Sequence, residues 1–137
     1  VNLLIHPNAQ NDIRALLAAD VNGVGKLLAL LSAIRADPAL IDRLNIQGED
    51  IELDELGKVN ALKMQAVKKI ADIWRLKAWD SGNAAIPYRL LYGFFPAGQY
   101  RRAPQIHILA AAARNAYNYE PDHHLTRRVL ADYRDLV

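Results

Sequence analysis

The chain contains no cysteine. That absence removes a disulfide framework, a thiolate metal site and a cysteine nucleophile at once. It also fits a reducing cytoplasm, which is the expected location. No apolar run is long enough to cross a bilayer; the longest lie around Leu27 and around Ala110. No cationic start leads into an apolar stretch with a small-residue cleavage site, so neither a secretory signal nor a membrane partner is expected. The first residue is Val1 rather than methionine, so further sequence before it is expected. Internal repeats and low-complexity segments are lacking too. Gly23 and Gly25 have no Lys-Ser/Thr pair after them and no strand before them, which excludes a phosphate-binding loop. The adjacent His123 and His124 point apart at a helix start, and no HExxH pattern accompanies them, so no metal and no cofactor are expected.

What is present is an ordinary globular balance, 52% hydrophobic and 23% charged. A chain of 137 residues can bury a core without staples, and one domain over residues 1–137 is expected. The formal net charge of +2 hides an asymmetry. Residues 1–57 carry four basic and nine acidic side chains, residues 58–114 carry ten and two, and residues 115–137 carry three and four. The basic middle is either an anion-binding face or a solvated face that neutralises its acidic neighbour.

Val1–Ile5 reads as a strand that stops at His6-Pro7. Asn8 or Asn11 is the expected cap of a helix through Ile13, Leu16 and Leu17. Asn22-Gly23 and Gly25 suggest a turn, after which Leu27, Leu30, Leu31 and Ile34 make one apolar helical face. Asp37 is expected to cap a short helix from Pro38 through Leu44. Residues 45–56 read as loop or distorted edge strand, and 58–72 as either a helix or a basic strand and turn. Period-2 alternation marks Ile73–Trp79, and Asp80-Ser81-Gly82-Asn83 is a turn. Ala85–Phe95 and Gln105–Ala113 read as central strands. Asp122 is the expected cap of a last helix through Leu136. The expected fold class is α+β: a strand and helical hairpin packed on an antiparallel β-meander, with a C-terminal helix.

Strand alternation puts Arg75 and Lys77 on one face, opposite Trp74 and Leu76. Arg89 shares a face with Leu91 and Phe95, opposite Tyr88, Leu90 and Tyr92. Arg114 ends the third strand, with Tyr117 and Tyr119 beyond it. A meander would gather these cations on one sheet face, suited to phosphate groups through charge-assisted hydrogen bonds. Tyrosines beside them offer stacking surfaces for bases. Trp74 and Trp79 lie on opposite faces. Arg101 and Arg102 sit at an exposed hairpin tip that can reach RNA backbone. Tyr88 and Tyr92 read as core, and His107 as a core or edge histidine.

These segments, in this order, resemble the RelE/ParE toxin superfamily. Tyr88-Arg89-Leu90-Leu91-Tyr92 is similar to that family's tyrosine-arginine-aliphatic-aliphatic-tyrosine strand, and Gln105–Tyr119 to its apolar strand ending in basic residues and a tyrosine. The His6-Pro7-Asn8-Ala9 junction fits as well. The resemblance covers most of the chain, while residues 45–72 and 80–86 exceed the compact family core. It implies a type II toxin that cleaves messenger RNA in the ribosomal A site without a metal and is restrained by a cognate antitoxin. Carried over by position, it implies catalytic roles for Lys77, Arg89, Arg114 and Tyr117 or Tyr119, and RNA binding by Arg75 and Lys77; the hairpin tip adds Arg101 and Arg102 to the expected RNA-binding residues. One departure is Ala113, where many members have His or Lys; His123 or His124 would then take over acid–base work. Two other readings stay open: a ParE-like inhibitor of DNA gyrase, and a catalytically inactive interaction module.

Overall fold

Each helix starts where a local donor problem is solved. In the computed structural model, which describes residues 2–137, strand β1 (Asn2–Ile5) turns at His6 into helix α1 (Pro7–Ala19). Val1, assigned to this strand from sequence, lies outside the described residues. Pro7 has no N–H and a pre-set φ, so it suits the first helical position. The next N–H, that of Asn8, donates to His6 Nδ1 at 3.0 Å. The cap is therefore His6 rather than Asn8 or Asn11; the Asn8 side chain instead donates to Asp132 at 2.8 Å. The last helix, α4 (His124–Leu136), repeats the device one residue later than expected: His123 Nδ1, not Asp122, accepts from the Leu125 N–H at 3.1 Å.

The glycines at 23 and 25 do not break a helix. Helix α2 runs from Val21 to Arg35, and the break falls at Asp20. The Asp20 carboxylate accepts from the Gly23 N–H at 3.0 Å and from the Tyr88 hydroxyl at 2.7 Å. A Cβ at residue 23 would collide with that carboxylate and press on the Tyr88 ring. Glycine is there for close approach, and the buried stripe Val24, Leu27, Leu30, Leu31, Ile34 holds the helix despite its low propensity. Helix α3 (Pro38–Arg43) starts as expected, with the Asp37 side chain accepting from the Ala39 N–H.

The undecided stretch resolves into an edge strand β2 (Asp50–Glu52), a strand β3 (Lys58–Lys63) and a 3₁₀ turn at Gln65–Val67. Strands β4 (Ile73–Trp79), β5 (Ala85–Phe95) and β6 (Gln105–Ala113) follow with the boundaries expected from sequence. All six form one sheet in the order β1-β6-β5-β4-β3-β2. Strands β2 to β6 are antiparallel neighbours, while β1 joins β6 in parallel, so the fold is mixed α+β around a mixed sheet.

The two faces are covered differently. Helices α1, α2 and α3 cover one face, over a core that includes Leu27, Leu30, Ile34, Trp74, Leu76, Leu90 and Tyr92. Helix α4 covers part of the other, packing Leu125, Val129 and Leu130 against Ile73, Leu91, Leu109 and Ala110. An extra residue in β6 breaks the register between Leu91 and Tyr92. There Asp12 of α1 accepts from the Ala111 N–H, and Arg128 of α4 donates to the Leu109 carbonyl and forks onto Asp12 at 2.9 and 2.6 Å. This network closes the part of the β6 edge that four-residue β1 is too short to pair. No helix among the described residues is long and apolar enough to cross a membrane.

Candidate functional site

Helix α4 leaves the β3–β4–β5 part of its face open. Cross-strand partners share a face in a sheet. Leu62 lies opposite Arg75, Asn60 opposite Lys77 and Arg89 opposite Ala112, so these residues belong to the open face. A second irregularity shapes it. Between Leu76 and Ala78, two steps of β4 face four steps of β5, from Ile86 to Leu90. Pro87 sits in that widened stretch, where its missing N–H breaks no ladder bond to β4. The Arg89 guanidinium folds back over it and donates to the Ile86 and Tyr88 carbonyls, both at 3.3 Å.

Arg75 and Arg89 are 8% and 7% exposed, an unusual depth for arginine. Neither is in a salt bridge among the described residues, nor are Lys77 and Arg114. Arg75 Nη1, Arg89 Nε and the Tyr119 hydroxyl are buried with no partner at full hydrogen-bond geometry, although the Arg89 guanidinium lies near enough to the Tyr119 hydroxyl to act on it. A buried polar group left unsatisfied costs roughly 1–3 kcal/mol. Three at one place, two of them on cations, suit a guest with acceptor oxygens and negative charge; the two other unpartnered atoms among the described residues, Glu49 Oε2 and Arg128 Nε, belong to side chains already in ion pairs.

The electrostatics agree. Burial is the main cause that pulls both arginines below their ordinary value, and the Arg89 charge adds to the effect at Arg75, as the Arg114 charge does at Arg89. Lys77 is lowered from 10.5, first by Arg75, then by burial, Arg89 and Arg114. Tyr119 moves the other way: burial raises its phenol, against the pull of Arg89 and Arg75. The site thus pairs an amine inclined to lose its proton with a phenol inclined to keep one. Tyr119 also has φ +62°, a left-handed backbone that costs a non-glycine residue about 1 kcal/mol or more.

Arg75, Lys77, Arg89, Arg114 and Tyr119 are therefore brought together, and the remaining expected residues are not. Tyr117 is turned into the α4 core, its hydroxyl 2.6 Å from Thr126 Oγ1 and its ring 4.6 Å from that of Tyr119. Arg101 lies at the opposite end of β5 and β6, beyond the Phe95–Gln105 pair. Its guanidinium stacks over the Phe95 ring, donates to Gln105 and binds the Leu136 carbonyl, anchoring the end of α4. Arg102 is exposed beside it. Six residues of strand, roughly 20 Å, separate Arg89 from that end. His123 is occupied as a helix cap and lies edge-on to Tyr117. Ala113 pairs with Tyr88 and packs toward the helices, so a larger side chain there would face away from the cations. Tyr88 and Tyr92 are core, as expected, and His107 is buried.

Sequence reasoning missed one wall. Beside Arg75, Lys77 and Tyr119 lies a cavity of about 350 Å³ whose lining is completed by Leu62, Lys63, Met64, Gln65 and Ala66. The alternation Lys58-Val59-Asn60-Ala61-Leu62 was the signal available for this strand. Trp79 also faces this side, with Lys58 Nζ 5.1 Å above its ring. Among the described residues, no group of three or more His, Asp or Glu is placed to hold a metal ion.

Compared with protein-family models, with curated proteins and with solved structures, the chain matches none.

Proposed function

We propose that this protein is a metal-independent endoribonuclease acting on messenger RNA at the ribosome, the toxin of a type II pair restrained by a cognate antitoxin. The observation that carries the reading is the set of unsatisfied buried atoms on Arg75, Arg89 and Tyr119, with Lys77 and Arg114 beside them. A phosphodiester supplies what these groups lack: a single negative charge and several acceptor oxygens.

The arrangement suits transesterification. The ribose 2′-hydroxyl gives its proton to Lys77, whose charged form is disfavoured by its cationic neighbours, and attacks the adjacent phosphorus. The bond to the 5′ oxygen breaks, a 2′,3′-cyclic phosphate forms, and the leaving oxygen takes a proton from Tyr119. Arg75, Arg89 and Arg114 stabilise the charge that grows on the non-bridging oxygens. The order of the Tyr88–Tyr92 strand, the apolar strand after it and the following tyrosine supports the toxin assignment through its resemblance to the RelE/ParE pattern.

The test is induced expression in bacteria with primer-extension mapping of messenger RNA ends, beside an Arg89→Ala/Arg114→Ala variant shown to be folded by circular dichroism. New ends in translated messages that vanish in the variant are expected. Absence of new ends sinks the nuclease reading, and DNA damage in their place would assign the basic face to gyrase inhibition.

A further inference from the structure

The cavity beside the cations is too small for a duplex and right for one nucleotide; binding pockets for small ligands start at about 300 Å³. Its composition is divided. One wall is the basic pair Arg75 and Lys77, with the Tyr119 ring. Next to it lie Leu62, the cross-strand neighbour of Arg75 and 36% accessible despite its size, and exposed Ala66, with Lys63 and Met64 completing the lining. Gln65 stands on the 3₁₀ turn, exposed, and its carboxamide makes no hydrogen bond among the described residues. Arg75, more than nine-tenths buried, lines this cavity and leaves Nη1 without a partner.

A flat apolar slot next to an anion site, with one free donor–acceptor group at its rim, has the chemistry of a nucleoside monophosphate. The phosphate meets the cations, the base lies between Leu62 and the Tyr119 ring, and Gln65 reads the base edge. The rest of the lining belongs to β3 and its following turn, within residues 45–72, the part of the chain that exceeds the compact pattern noted above. The turn is held by two residues that themselves line the slot: Met64 N–H donates to the Ile73 carbonyl, and Lys63 pairs with Asp72 at 3.2 Å. Its geometry does not depend on Gln65 or Ala66.

We propose that Leu62, Gln65, Ala66 and Tyr119 form a nucleobase pocket that accepts one unpaired base of a single-stranded RNA while Arg75, Lys77 and Arg89 hold the adjoining phosphate. Gln65 is its specificity-determining residue. The proposal rests on the anion-binding reading of the basic face and adds to it a base preference. Single strands are favoured because a base in a helix must first be unstacked and unpaired to enter the slot.

The experiment is calorimetric titration with the four ribonucleoside 3′-monophosphates and, separately, inorganic phosphate. The wild-type protein should prefer one or two bases by about tenfold, as a two-point carboxamide contact provides. Gln65→Ala should bring the four bases within about threefold of one another with phosphate binding unchanged. Ala66→Trp, which fills the slot from an exposed turn position, should weaken every nucleotide about tenfold and leave phosphate alone. Equal wild-type affinity for all four bases overturns the pocket, as does a preference that survives Gln65→Ala. Arg89→Met separates the two ideas. If it abolishes phosphate binding while Ala66→Trp changes nothing, the anion site stands and the pocket falls. If it leaves phosphate and nucleotide binding intact, both fall.

Discussion

The two faces of the sheet treat similar side chains in opposite ways. On the helix-covered face, Tyr88 donates to Asp20 and Tyr92 donates to the Leu44 carbonyl at 2.6 Å, so each buried hydroxyl has a partner. On the other face the Tyr119 hydroxyl and two guanidinium nitrogens have none at full hydrogen-bond geometry. Burial pushes the Tyr92 phenol far above its ordinary value, and it is 0% exposed. Its polar atom is part of the packing. Tyr119 is only partly buried, in strained backbone, beside an open cavity. Satisfied polar groups on a closed face serve stability; unsatisfied ones on an open face are retained at a cost in stability, which points to a use outside the fold.

The comparison can be broken from either side. The largest effect should come from the closed face: Leu90→Ala, at a fully buried central position, should lower stability by about 2–5 kcal/mol in chemical denaturation. A loss much under that range would mean the helix-covered core is loosely packed and the contrast overstated. Arg75→Met should do the reverse. Removing a buried, unpaired cation while keeping the stem should leave stability unchanged or raise it by about 1 kcal/mol, and should cut RNA cleavage by about 100-fold. A clear destabilisation would place Arg75 with the structural residues.

The smallest effect is a pH dependence. Lys77 has a folded value below its ordinary 10.5. At low pH both folded and unfolded states hold the proton, and repulsion from Arg75 is felt in full. As pH rises through the lowered folded value toward 10.5, the folded amine releases its proton first, so folded stability rises with pH in that window. The difference in unfolding free energy between wild type and Lys77→Met should therefore shift in favour of wild type by a few tenths of a kcal/mol on approach to pH 10.5, read from urea midpoints at successive pH values. A flat difference would show that the amine is not held among cations.

Much of the closed face was legible in advance. The boundaries of β4, β5 and β6 follow from period-2 alternation and from turn residues such as Asn83, which adopts φ +63°. The Asp37-Pro38 start of α3 follows from local capping chemistry. The errors also have local causes. His6 and His123 took caps expected of asparagine and aspartate, because an imidazole nitrogen accepts from a first-turn N–H as a side-chain oxygen does, and the Asn8 side chain is turned to Asp132. Gly23 looked like a break because its contacts, Asp20 and Tyr88, are 3 and 65 positions away, and only the second reveals why a side chain is excluded. On the open face, Arg75, Lys77, Arg89 and Arg114 could be named from alternation, yet Tyr117 could not be told from Tyr119. Arg101 looked free because its partner, the Leu136 carbonyl, is at the far end of the chain.

Sequence alone determined the element types, the alternation that separates an apolar from a basic sheet face, and the concentration of positive charge in residues 58–114, because each depends on neighbours within a few positions. Tertiary structure decided which cations lie together, which tyrosine faces them, and that β3 raises a wall beside them. Those outcomes depend on strand order, on the two register shifts and on α4 covering only part of its face, and no spacing along the chain encodes any of these.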